Sequence, residues 1–397
     1  MQQQKVTFHN RDGAQLAGQI DWPADATGGY RAIALFAHCF TCTKNIKAAG
    51  NISRALTRHG IAVMRFDFTG LGDSDGEFSD TTFSSNVTDI VDAARWLADE
   101  YQAPSLLIGH SLGGTAILQA APHIDSAVAV ATLGSPSTPA HVTHLFKDKS
   151  ADIQRDGSAE VLLAGRPFTI RQQFIDDLNL HPLADTVANL RKALLILHSP
   201  IDTTVDVNNA AELFMQAKHP KSFVSLDNAD HLLSRNEDSR YAGDVLAGWA
   251  DRYLPAAPAG PVAAAGHAAA RTVTGSFRTE IHVGGHELVA DEPPSIGGSN
   301  SGPAPTALLD AALASCTSMT VQMYAKHKKL PLERVTVDVT HGSETVDGEK
   351  TTVFKRQVVL EGQLTDEQRT RIMEIADKCP VHKILHGAVR VDNIASS

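Results

Sequence analysis

The chain has 397 residues, 43% of them hydrophobic and 20% charged, a balance that suits folded domains with sizeable cores and excludes a disordered chain. Thirty-five Lys and Arg against 45 Asp and Glu leave a formal charge of −10. Non-specific binding to nucleic acid or to an anionic membrane surface, which wants a basic face, is therefore not expected.

At roughly 100–200 residues per domain the length predicts two domains. The opening residues, through Gly13, hold no apolar stretch long enough for a signal peptide, and nowhere do 18 apolar residues follow one another. A cytoplasmic protein with no membrane association is expected. Its four cysteines, Cys39, Cys42, Cys316 and Cys379, then do not read as a disulfide framework.

In chain order, short apolar runs at 33–37, 61–66, 105–108, 127–132, 193–197 and 222–226 read as buried strands. Helical stretches near 46–58, 84–101, 112–121, 207–217 and 238–254 separate most of them. Continuous rather than alternating apolar strands, spaced by helices, predict α/β architecture: a doubly wound, mostly parallel sheet covered on both faces. The stretch 137–190 is too long for a plain connection and is expected to carry helices and to cap the carboxyl ends of the strands.

From 255 to 271 the composition shifts to Pro, Ala and Gly, which reads as a linker between a domain at 1–254 and one at 272–397. The second domain is α+β. A hairpin at 274–290 turns at Gly284-Gly285, a helix covers 305–328, strands cover 332–341 and 351–361, a helix covers 365–378, and a strand near 387–394 closes it.

Gly109-His110-Ser111-Leu112-Gly113 sits between the strand at 105–108 and a helix that starts at Leu112. Small residues on either side permit a tight elbow that lifts a serine oxygen above the sheet edge. A nucleophilic serine needs a base, and the base an orienting carboxylate, each at a later strand end. Asp202 and His231 follow the strands at 193–197 and 222–226 and are assigned as acid and base. Asp206, at a helix start, reads as a cap, His198 as structural, and Asp227 and Asp230 as loop residues. The N–H groups of Phe40 and Leu112 are the candidate donors to an oxyanion.

His38-Cys-Phe-Thr41, Arg65-Phe-Asp-Phe-Thr-Gly-Leu-Gly-Asp-Ser74, the serine elbow, His198-Ser-Pro-Ile-Asp202 and Asp230-His231 together resemble the α/β-hydrolase family, in its small-cap esterase and serine-aminopeptidase-like branch. The departure is Cys39, where relatives usually carry Gly. Cys39 and Cys42 form a C-x-x-C pair outside a thioredoxin-like setting and without a second pair for zinc, and are given a structural or incidental role.

In the second domain Leu309, Ala312, Leu313, Cys316, Met319, Thr320 and Met323 recur at helical spacing, which predicts a buried stripe carrying Cys316. Cys379 stands at the end of the next helix, where Pro380 is expected to stop it. Asp291-Glu-Pro-Pro, Gly297-Gly, Gly302-Pro-Ala-Pro305, Leu308-Leu-Asp-Ala-Ala-Leu-Ala-Ser-Cys-Thr317 and Ala376-Asp-Lys-Cys-Pro-Val-His382 resemble the OsmC/Ohr family of thiol-dependent hydroperoxide reductases. The resemblance implies an intertwined homodimer, Cys316 as peroxidatic cysteine, Cys379 as resolving cysteine and Arg278 as the thiolate-stabilising arginine. Thr306 stands where that family carries the glutamate that orients the arginine.

The expected function is a serine acyl hydrolase acting on a small acyl ester, fused to a domain that reduces organic hydroperoxides with a dithiol reductant. The alternative makes the second domain a non-catalytic dimerisation or ligand-binding module. No cofactor and no metal is expected.

Overall fold

Eight strands form the central sheet of the computed structural model, which describes residues 2–23, 30–163, 165–256, 261–272, 275–346 and 349–393. Along the first compact unit (Met1–Gly260 with Val273–Ser276) run β1 (Gln2–His9), β2 (Gln15–Trp22), β3 (Ala32–Ala37), α1 (Lys47–Arg58), β4 (Ile61–Phe66), α2 (Phe83–Glu100), β5 (Leu106–His110), α3 (Leu112–Ala120) and β6 (Ala129–Leu133). After an intervening segment come β9 (Ala193–His198), α7 (Asn208–Gln216), β10 (Lys221–Ser225) and α8 (Asn236–Ala250). The strand order is β1-β2-β4-β3-β5-β6-β9-β10. It is parallel from β4 to β10, with β1 and β2 antiparallel at one edge. That antiparallel edge pair is absent from the sequence reading, because its strands alternate polar and apolar residues weakly.

Every residue of β3, β4, β5, β6 and β9 is buried, as continuous apolar runs require when both faces of a sheet are covered. Successive side chains then serve opposite cores. Ile33 and Leu35 pack with α2 and α3 residues such as Ile90, Leu97 and Ile117. Ala34 and Phe36 pack on the other side with Ile52 and Leu56 of α1 and Leu246 of α8. Each large side chain so buried contributes about 1.5–3 kcal/mol.

The intervening segment holds a 3-10 stretch, Pro139–Lys149, then α4 (Ser150–Asp156), β7 (Ser158–Leu163), β8 (Arg166–Arg171), α5 (Gln172–Leu178) and α6 (Leu183–Ala188). The helices match expectation and the β7–β8 hairpin does not. Phe168 of β8 packs on Phe78, and Phe174 of α5 on Phe40, beyond the carboxyl end of β3.

The second unit (Pro261–Thr272 with Phe277–Ser397) contains an antiparallel sheet of β11 (Ala268–Thr272), β12 (Thr279–Val283) and β13 (His286–Ala290). Then follow α9 (Pro305–Lys328), the long hairpin β14 (Leu332–Val346) and β15 (Glu349–Gly362), α10 (Asp366–Ala376) and α11 (Pro380–His386). β11 begins inside the stretch read as linker, whose residues 257–260 lie outside the described ones.

Three expectations for this unit need correction. Residues 387–393 form no strand, and 394 lies outside the described residues. Val389 and Val391 are exposed there. Pro380 opens α11 rather than merely stopping a helix, since its missing N–H is one the first turn leaves unbonded anyway. The buried stripe of α9 is Leu313, Thr317, Val321 and Ala325; Cys316 is half-buried, and Leu309, Met319 and Met323 are exposed. Periodicity identifies an apolar face but not what covers it.

Among the described residues no helix is long and apolar enough to cross a membrane.

Candidate functional site

The sheet order reverses at β3, with β4 on one side and β5 on the other. A crevice opens outside the carboxyl ends of strands at such a switch point. The loop after β3 carries Phe40, and the turn after β5 carries Ser111.

Ser111 has φ 55° and ψ −131°, a conformation rare for a residue with a Cβ and held here by the packing of the elbow. The two glycines of the motif are close-approach positions. A Cβ on Gly109 would lie 2.4 Å from the Gly114 Cα, and one on Gly113 would lie 2.2 Å from the His38 carbonyl oxygen. The helix of the elbow thus rests directly on the backbone of the β3 loop.

The Ser111 hydroxyl donates to Nε2 of His231 at 3.0 Å, and Nδ1–H of His231 donates to Oδ2 of Asp202 at 2.7 Å. Asp202 Oδ1 accepts the N–H groups of Thr204 and Val205 at 2.8 and 2.9 Å. Burial pushes the Asp202 carboxyl up, but the hydrogen bond and charge of His231, with the two N–H groups, outweigh this and hold it below the ordinary carboxylate range. The carboxylate stays ionised and fixes the tautomer of His231.

The rival residues lie elsewhere. Asp206 is exposed and accepts the N–H of Asn208 at 2.8 Å, a capping role. Asp227 takes the Ser225 hydroxyl, and Asp230 takes the N–H and hydroxyl of Ser234. His198 is fully buried and donates to the Val205 carbonyl at 2.8 Å.

Among the described residues neither Phe40 N–H nor Leu112 N–H has a hydrogen-bond partner, Leu112 being the first residue of α3. The four cysteines are not all free: Cys39 and Cys42 form a disulfide with Cα atoms 5.3 Å apart, bracketing Phe40. Three-residue spacing in a tight turn brings the sulfurs together; a structural or incidental role was expected for this pair, and no disulfide.

Several residues that hold this loop escaped the sequence reading. Asp67 accepts the Lys44 N–H at 2.6 Å and its ammonium at 2.5 Å, and Lys44 also pairs with Asp73 at 2.6 Å. Arg65 bonds Asp21 at 2.8 Å and the Lys44 carbonyl. The Arg65–Ser74 motif therefore anchors the far end of the loop after β3. Arg166 of β8 donates to the Thr41 carbonyl and lies over the Phe168 ring. Buried Lys–Asp and Arg–Asp pairs are legible in sequence only as polar residues beside apolar runs.

In the second unit Cys316 and Cys379 are both free thiols. Cys379 is buried at the start of α11, where its sulfur accepts the His382 N–H at 3.2 Å and lies 3.6 Å from the Thr317 hydroxyl. Its polar neighbour on α9 is Thr317. Arg356 donates to the same Thr317 hydroxyl at 3.1 Å and to the Ala376 carbonyl at 3.0 Å. Arg278 stands just before β12 with an ion-pair distance of 3.5 Å to Glu280. Thr306, in the first turn of α9, is exposed. Asp291 accepts the N–H and hydroxyl groups of Ser299 and Ser301 and the Glu292 N–H, which folds the Asp291–Ser301 loop around one carboxylate. Among the described residues no cluster of His, Cys, Asp and Glu is arranged to hold a metal.

Comparison with known proteins accords with this two-part architecture. Residues 34–293 match the profile of the Alpha/beta hydrolase family, and residues 298–393 match the OsmC-like protein family. The esterase domain of a Rhodothermus marinus protein is 49% identical over 64% of this chain and 99% of that one, with a TM-score of 0.53. Est1E of Butyrivibrio proteoclasticus, solved with ferulic acid bound, is 20% identical over 61% and 97% of the two chains, with a TM-score of 0.50, a likeness of fold. Among curated proteins, the uncharacterised YfhR of Salmonella typhimurium is 23% identical over 231 residues, 58% of this chain and 74% of its own.

Proposed function

Because the chain belongs to the α/β-hydrolase family and carries an OsmC-like domain later in its sequence, we propose that it is a serine carboxylesterase whose second domain reduces organic hydroperoxides. The observation that carries the first half is the unbroken relay from Ser111 through His231 to Asp202, with bonds of 3.0 and 2.7 Å.

In this reading Ser111 attacks the ester carbonyl carbon while His231 takes its proton. Asp202 steadies the imidazolium that forms. The N–H groups of Phe40 and Leu112 bind the tetrahedral oxyanion, each such donor being worth about 10²–10³ in rate. His231 returns the proton to the leaving alkoxide, and water then releases the acyl group by the same steps. A fluorophosphonate probe should label the intact chain and not Ser111→Ala, with ester turnover lost in parallel. Equal labelling of both refutes the assignment.

For the second domain, the Cys316 thiolate attacks the hydroperoxide: an S–O bond forms, the O–O bond breaks, and an alcohol departs with a proton. The Cys379 thiol then displaces water from the sulfenic acid, and an external dithiol reduces the resulting disulfide. Cys316→Ser should abolish peroxide consumption and spare ester turnover.

Thr306 favours a second reading, in which this domain only joins two copies. Exposed Leu309, Met319 and Met323 on α9, beside a small buried cluster of Val321, Ile372 and Ala376, suit burial by another copy of the chain in either reading. Peroxide loss that survives Cys316→Ser would leave dimerisation, read by sedimentation, as its role.

A further inference from the structure

Two buried histidines beside the triad belong to no step above. His110 ends β5 immediately before Ser111, is 1% exposed, and has its ring centroid 5.1 Å from that of His231. Its Nε2 lies 2.7 Å from the backbone carbonyl of His231. His198 ends β9 and is equally buried; its Nε2 lies 2.8 Å from the Val205 carbonyl and 3.7 Å from Oδ2 of Asp202.

A carbonyl only accepts, so each imidazole carries its proton on Nε2. Among the described residues neither Nδ1 has a partner. Leaving a buried polar atom unpaired costs about 1–3 kcal/mol, which an apolar ring of the same size would avoid. What the imidazole adds over such a ring is the Nε2–H bond, and in both cases that bond ends on the backbone of a loop carrying a triad partner.

Resting on the esterase reading, we infer that His110 and His198 are positioning residues: neutral imidazoles that tie the His231 and Asp202 loops to the strand ends beside Ser111. His231 has no regular secondary structure of its own to hold it. Its side chain meets Ser111 and Asp202, and its backbone carbonyl is fixed by the residue next to the nucleophile. Base and nucleophile are thereby registered through one rigid strand end, β5. Neutrality matters, because His231 becomes an imidazolium in the reaction and a second positive ring 5.1 Å away would oppose it. Burial first, then the neighbouring His231, lowers the pKa of His110 to about 3, so it stays uncharged throughout the working range.

The test is steady-state hydrolysis of 4-nitrophenyl acetate by the full-length chain, with melting temperatures measured on the same samples. His110→Leu removes the donor, and kcat should fall about 10- to 100-fold with KM nearly unchanged. His110→Gln, which offers an amide N–H on a side chain of similar reach, should restore most of kcat. His198→Leu should also lower the apparent pKa of the base in the pH–rate profile, because a loosened Asp202 supports the imidazolium less. A folded His110→Leu enzyme with wild-type kcat overturns the inference. So do equal losses in the Gln and Leu variants that merely track melting temperature. Ser111→Ala run alongside separates the two failures: undiminished turnover there sinks the esterase reading itself.

Discussion

Replacing Gly113 with alanine sets two effects of known sign against each other. Gly113 lies in the first turn of α3, where helix propensity alone favours alanine by about 1 kcal/mol. The structure opposes it: the new Cβ would stand 2.2 Å from the His38 carbonyl oxygen and 2.7 Å from that of Ala37. Both are backbone atoms, so no side chain can swing aside. Restoring an ordinary contact of 3.4 Å requires the end of β3 to retreat by roughly 1 Å. The peptide that moves lies one residue before Phe40, whose N–H is the oxyanion donor in the proposed mechanism.

Overpacking of this kind costs about 1–3 kcal/mol, which outweighs the propensity gain. Losing one oxyanion donor costs about 10²–10³ in kcat. The expected result is a folded protein melting a few degrees lower, with kcat down about 100-fold and KM little changed. Gly248→Ala is the control: it lies in α8 with open space at its Cβ position, so it should gain about 1 kcal/mol of stability and keep full activity. Calorimetry and ester turnover on both variants decide the matter. A Gly113→Ala enzyme that melts higher at unchanged kcat would refute the steric argument.

Other consequences concern pH and redox state. His38, His110 and His198 are buried with pKa values lowered below the ordinary imidazole value, chiefly by burial. The unfolded chain therefore gains protons near pH 6.5 that the folded chain refuses. Their contribution is fully present above that pH and erodes as pH falls toward the folded values, about 3 for His110, by up to about 1.4 kcal/mol per histidine per pH unit. Melting temperature should drop between pH 7 and 4.5, less steeply in His110→Gln; a flat profile contradicts the burial argument. Reducing the Cys39–Cys42 disulfide frees the loop around Phe40, so a dithiol should raise the thiol count from two to four and lower kcat severalfold, while Cys42→Ser should not respond. A full thiol count with unmoved kcat would show that the disulfide does not position Phe40.

Local signals were enough for the parts of the molecule that are set locally. The strand–Gly–x–Ser–x–Gly–helix junction, the continuous apolar strands and the order Ser111, Asp202, His231 are all legible because a sharp elbow needs small neighbours and a parallel sheet needs apolar strands. Chain order already separated His231 from His198 and Asp202 from Asp206. What only the tertiary structure decided is where the remaining imidazoles bond. His110 and His198 turn their Nε2–H groups to the backbone carbonyls of His231 and Val205, contacts between loops far apart in sequence or on opposite sides of a turn that no local spacing records. The stripe on α9 was misread for a related reason. An apolar face in sequence records that something must cover it, whereas only coordinates show that this chain covers Leu313, Thr317, Val321 and Ala325 and leaves Met319 and Met323 exposed.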